Sequence, residues 1–250
     1  MLVNTIAARV SICSIVVALC ATLPATAQDL KAKYASMPPI DRFLMADRNA
    51  EISIARSAAP KSISGDATVL VLGRHGYETA VKGTNGFVCL IDRSWTEAID
   101  FAEVWNPHIS GPLCLNPPAV RTVLPAMEKK TALLLAGDSE TQIIAALKQA
   151  YHDKQLPPLE PGAMSYMMSK QAYLTDAPGH NLAHLMFYVP TQDGSVFGSD
   201  LPNSPFFSDS YWYPNEANGD KAVKQGLPQI QVIMIATRRW SDGTPQLPSH

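Results

Sequence analysis

Tyr77-Glu-Thr-Ala-Val-Lys-Gly83, Thr84-Asn85-Gly86 and Phe87-Val-Cys-Leu-Ile-Asp92 follow one another without a break. Two β-prone runs flank Asn-Gly, the dipeptide that supplies the positive φ angles of a tight primed turn. The stretch therefore predicts a β-hairpin. On its second run Phe87, Cys89 and Ile91 share one face, and Val88 and Leu90 the other, because successive strand side chains alternate. Immediately upstream, Ala67-Thr-Val-Leu-Val-Leu-Gly73 is short, apolar and β-branched, which predicts a strand covered on both faces.

Working outward, residues 28–40 read as a lead-in arm ending in Pro38-Pro39. A helix is expected over 41–58, burying Phe43, Leu44, Ile52 and Ala55, with Pro60 as its stop. On the other side, Asn116-Pro117 is an N-cap with proline at the first helical position. That helix should run toward Ala136, kinked near Pro125, with Gly137 as its cap. Ser139-Glu-Thr-Gln142 forms a capping box that opens a second helix to about residue 153. Its apolar stripe is Ile143, Leu147, Ala150 and Tyr151. Short spacing makes the pair an αα-hairpin. Strands are expected over 163–168, 184–189 and 230–236, with a long loop over 190–228. The fold class is α+β: one domain over residues 28–250, an antiparallel sheet with a β-hairpin and a packed αα-hairpin.

Composition narrows the function. The 250 residues are 46% hydrophobic and only 17% charged, with 20 prolines. That suffices for a sizeable core and excludes a disordered chain. A net charge of -2 lacks the basic footprint of a nucleic-acid binder.

Arg9 is the only charged side chain in the first 27 residues. An apolar run from Val10 follows, then Leu23-Pro24-Ala25-Thr26-Ala27, with small residues at the two positions a signal peptidase reads. This predicts a cleaved signal peptide over 1–27 and a secreted or periplasmic product. No later segment is long and apolar enough for a transmembrane helix. Cleavage leaves two cysteines, Cys89 and Cys114, which in an oxidising compartment predicts one disulfide.

Three constellations bear on chemistry. Val69-Leu-Val-Leu-Gly-Arg74-His75-Gly76 resembles the strand-then-Arg-His-Gly signature of the histidine phosphatase superfamily. The resemblance implies His75 as phosphoryl acceptor and Arg74 as phosphate clamp. In that family the motif leads toward a helix, and a later histidine completes the pocket. Here a hairpin is expected instead, and the surroundings of His180 and His184 differ, so a plain turn at Gly76 is the favoured reading. Second, Asp176-Ala-Pro-Gly-His180-Asn-Leu-Ala-His184 places two imidazoles and a carboxylate close together, a candidate metal or catalytic set. The alternative is a hydrogen-bonded structural pair. Tyr77 and Glu78 could complete this site if their strand neighbours 184–189. Third, the aromatics of 205–213, Trp212 among them, with Trp95 and Trp105, could stack on a ligand. Such clusters more often pin a loop to its own domain.

Gly76-Tyr-Glu78, Lys82-Gly83, Asn85-Gly-Phe87, Cys89-Leu90 and His184-Leu-Met-Phe-Tyr188 together look like a family of uncharacterised secreted bacterial proteins. The resemblance spans roughly residues 45–190. It implies export and a shared fold, and no activity, cofactor or partner comes with it. The expectation is a secreted or periplasmic, non-catalytic binding or structural module. The alternative is a hydrolase, phosphatase-like through His75 or metal-dependent through His180 and His184.

Overall fold

The computed structural model describes residues 27–96, 101–177, 181–190, 194–199, 201–210, 226–228 and 230–246. Nearly all of the expected signal peptide lies outside the described residues. The first strands are β1 (Thr68–Gly73), β2 (Gly76–Val81) and β3 (Val88–Asp92). β2 does form a hairpin, but with β1, closed by the Gly73–Gly76 pair around Arg74-His75. β3 lies parallel to β1 on its other side, with Thr68 opposite Val88 and Val69 opposite Cys89. The hairpin expected over 77–92 is thereby corrected to a crossover.

Local chemistry explains the difference. Arg74-His75 closes a two-residue turn that pairs β2 along nearly the full length of β1. Residues 82–87 then pass across the start of β1, and Gly83 makes that crossing possible. A Cβ there would fall closer than 3.0 Å to the backbone of residues 66–68. Asn85 anchors the corner: its Nδ2 donates to the Ile63 carbonyl at 2.7 Å, and its Oδ1 accepts from Phe87 N at 3.0 Å. Gly86 still uses its positive φ, +78°, but at a corner rather than in a hairpin turn.

The remaining strands are β4 (Gly111–Leu115), β5 (Met164–Met167), β6 (His184–Val189), β7 (Phe206–Ser210) and β8 (Gln231–Ala236). With the first three they form one sheet in the order β2-β1-β3-β4-β5-β6-β8-β7. Only the β1–β3 pair is parallel. β4 has no counterpart among the expected strands. β7 lies inside the expected long loop and pairs along β8 as an edge strand.

The arm expected over 28–40 contains a helix, α1 (Ala27–Lys33). The helix expected over 41–58 is broken. A 3-10 turn, Ile40–Arg42, precedes α2 (Arg48–Arg56), whose N-cap Asp47 accepts from Asn49 N and Ala50 N. A short α3 (Lys61–Ser64) follows. Next come α4 (Pro117–Thr122) and α5 (Leu124–Leu135), divided at Val123 because Pro125 cannot donate to the preceding turn. Asn116 caps α4 as expected, and the Ser139–Gln142 capping box opens α6 (Glu140–His152). α5 and α6 form the packed αα-hairpin of this α+β fold.

Alternation along β1, β3 and β4 feeds two cores. Leu70, Leu72, Val88, Leu90, Leu113 and Leu115 face the cluster that holds α5 and α6. Val69, Cys89, Ile91 and Cys114 face Ala55 and Ala58 beneath α2. These three strands are therefore covered on both faces. Cys89 and Cys114 stand directly opposite each other across β3 and β4, fully buried, with their sulfurs at disulfide distance. The 25-residue separation makes the bridge worth about 3.5 kcal/mol by loop-closure entropy. Reductant should lower the denaturant midpoint accordingly. An unchanged midpoint, with two thiols titrating in the native protein, would refute the disulfide.

The β1–β3 ladder stops after Val69 and Cys89. Beyond it a side chain replaces the missing strand partner. Glu51 of α2, 2% exposed, accepts from Leu72 N at 3.1 Å and from Arg93 Nη2 at 2.7 Å. A buried backbone donor without an acceptor would cost about as much as a lost hydrogen bond, and Glu51 prevents that.

Candidate functional site

The residues singled out from the sequence occupy separate places. Arg74 and His75 form the exposed β1–β2 turn, where the Arg74 guanidinium donates to the Asp41 carboxylate. A strand, not a helix, follows them. Tyr77 reaches inward and donates its hydroxyl to the Ile91 carbonyl at 2.9 Å. Burial, with Asp92 nearby, raises its phenol far above the ordinary range. Glu78 is exposed, 4.0 Å from Arg48. β2 is the sheet's outer edge at the end remote from β6, so the hairpin does not neighbour His184. Trp95 is fully buried in the core, 4.7 Å from the Phe43 ring, with its indole donating to Thr131. His180 and Trp212 lie outside the described residues.

His184 opens β6 and is 5% exposed, with its Nδ1 2.8 Å from the Leu182 carbonyl and its ring against Phe207. Burial lowers its pKa, outweighing the backbone hydrogen bond that raises it. A depressed histidine pKa means that the unfolded chain takes up the proton first. Stability should therefore be full above pH 6.5 and fall as the pH drops through 6.5 toward the folded value. Unfolding curves of His184→Gln should be flatter between about pH 7 and 5 than those of the parent. Equal slopes would show that His184 carries no such linkage.

Asp176 is the centre of a polar clasp. Its Oδ2 accepts from Lys33 Nζ at 2.5 Å and Tyr34 OH at 2.6 Å; its Oδ1 accepts from Tyr173 OH at 2.8 Å and Asn106 Nδ2 at 3.0 Å. Burial alone would raise this carboxyl, but the four donors hold it well below the usual range. Bonding to Asp176 raises the Lys33 and Tyr173 values. Asn106 also donates to buried Glu103 at 2.7 Å, and Glu103 accepts from Asp176 N and Thr175 Oγ1. With four donors on two oxygens, Asp176 has its lone pairs filled. It docks α1 onto the 101–110 and 173–177 segments; it is not arranged to take a proton or an ion. Among the described residues no group of three or more His, Cys, Asp or Glu could hold a metal. Asp176 and His184 share no hydrogen-bond partner there.

A concave surface at the far end of α6 has no counterpart in the sequence reading. A groove of about 850 Å³ opens between that helix end and the adjoining ends of β6 and β8. Leu156 and Ile230 are its buried floor, Pro157, Pro158, Pro190 and Pro228 form much of its wall, and Tyr151 and Leu159 complete it. The pairing of Val189 with Gln231 brings the flanking Pro190 and Ile230 together. Proline rings present carbon and no N–H, so the wall is rigid and poor in donors. Both volume and apolar lining fall within the range of small-ligand sites. The Pro157-Pro158 break is visible in the sequence as punctuation, but its partners Pro190, Pro228 and Ile230 lie 32 to 73 positions away.

Among the described residues Lys154 is the one charged residue lining the groove. Among the described residues no helix is long and apolar enough to cross a membrane. No protein-family model matches this chain, and neither a curated protein nor a solved structure matches it.

Proposed function

We propose that this protein is an exported, non-catalytic binding module that takes a largely apolar small ligand into the groove at the end of α6. The observation that carries the reading is the groove itself: about 850 Å³, floored by Leu156 and Ile230 and walled by four prolines. Rigid walls lose little conformational entropy when a ligand enters, which favours binding without rearrangement. Export rests on the charged, apolar and small-residue pattern of residues 1–27, and a cysteine pair at disulfide distance suits an oxidising compartment. The resemblance to secreted bacterial proteins supports the same address.

Titration with the neutral fluorophore N-phenyl-1-naphthylamine tests the groove. Blue-shifted, saturable emission is expected. Pro158→Glu and Leu159→Glu, each placing a charge on the apolar wall, should weaken it at least about tenfold with unchanged circular dichroism. Unsaturable emission, or full binding by both folded variants, would refute the reading.

A further inference from the structure

Two helices end in the same backbone motif with different residues at its crowded position. After α5, Gly137 N donates to the Leu134 carbonyl and Asp138 N to the Leu133 carbonyl, with Gly137 at φ +88°. After α6, Lys154 N donates to the Tyr151 carbonyl and Gln155 N to the Ala150 carbonyl, with Lys154 at φ +59°. Both are Schellman caps, where glycine is favoured because a side chain in the left-handed region costs about 1 to 2 kcal/mol. The cap beside the groove keeps a lysine instead.

The neighbouring carboxylates already have hydrogen-bond donors. Asp153 accepts from Gln149 and His152, and Glu160 is held by two bonds from Arg121. Among the described residues Lys154 has no carboxylate partner. It is exposed, and it lines the groove with no second charge beside it there. A lysine near a helix C-terminus also complements the dipole, but that benefit is available at any position of the last turn. Of the last helical turn only Tyr151 lines the groove, and Lys154 reaches it from the left-handed bend that follows.

Resting on the groove reading above, we infer that the ligand is an amphipath with an acyl- or alkyl-like body and an anionic head, the head pairing with Lys154. The apolar floor and walls take the body. The head stays at the rim, where it keeps most of its hydration and gains one ammonium partner.

Three probes with one alkyl chain separate the two claims: decanoate, decanol and decylammonium, each titrated against the purified protein by displacement of the neutral fluorophore. Decanoate should bind about tenfold more tightly than decylammonium, with decanol between them. Lys154→Gln should weaken decanoate about fivefold and leave decanol unchanged, and Lys154→Arg should retain the preference. Lys154→Gly should lose the preference while raising the denaturant midpoint, which separates the charge from the cap. Equal affinity for all three probes would overturn the anionic-head inference and leave the groove standing. Binding by none of the three would overturn both.

Discussion

Gly83→Ala is expected to destabilise the protein by more than about 4 kcal/mol, in the range reserved for a specific structural collision. The new methyl group would lie within 3.0 Å of the main chain at residues 66–68, where no side chain can swing aside. Relief requires the crossover to lift away from β1. That would also strain the bonds from Gly83 N to Thr68 Oγ1 and from Thr84 N to the Asp66 carbonyl. The β1–β3 pairing lies next to these contacts, so the doubly covered part of the sheet is affected. Gly137→Ala is the control. Its Cβ would meet open space, so only the positive φ penalises it, by about 1 to 2 kcal/mol. Chemical denaturation followed by circular dichroism measures both. A Gly83→Ala protein no less stable than Gly137→Ala would show that the crossover does not run so close to β1.

Glu51→Ala has the second large expected effect, about 3 to 5 kcal/mol. It leaves the Arg93 guanidinium buried at 4% exposure without its carboxylate, and it removes the acceptor of Leu72 N. Most of the loss comes from those orphaned groups rather than from net attraction in the pair. The double variant Glu51→Leu/Arg93→Met should accordingly be less destabilised than the sum of the single ones, with Leu72 N the main residual penalty. Additive effects in that cycle would mean that the two side chains do not act on each other.

Elements written by local chemistry are readable in the amino-acid order alone. The capping box of α6, the Asn116 cap of α4 and the Gly137 cap of α5 each depend on residues within a few positions. So do the doubly covered β1 and the face division of β3, because alternation is a property of the strand itself. The cysteine pair is legible from compartment and count. Asn85-Gly86 misleads because a turn-forming dipeptide states that the chain bends, not which strands pair beyond the bend. β4 and β7 escape the sequence reading because Gly111-Pro112 and the polar Ser208-Asp209-Ser210 weaken the strand pattern, and both segments acquire strand geometry from the neighbours that bond them.

The sites divide along the same line. Asp176 stands out in the sequence as a carboxylate near histidines, yet its partners Lys33, Tyr34 and Asn106 are drawn from 70 to 143 positions away. The groove is assembled from a helix end, a proline linker and the ends of two strands, with no local signature. By itself the sequence determined the α+β class, most helix caps, the candidate bridge and the alternation of faces, since propensity, capping and periodicity act over a few residues. Only the tertiary structure decided strand order, the fully occupied Asp176 clasp and the groove beside Lys154. Those depend on which distant segments bury one another, and many pairings satisfy the same local preferences.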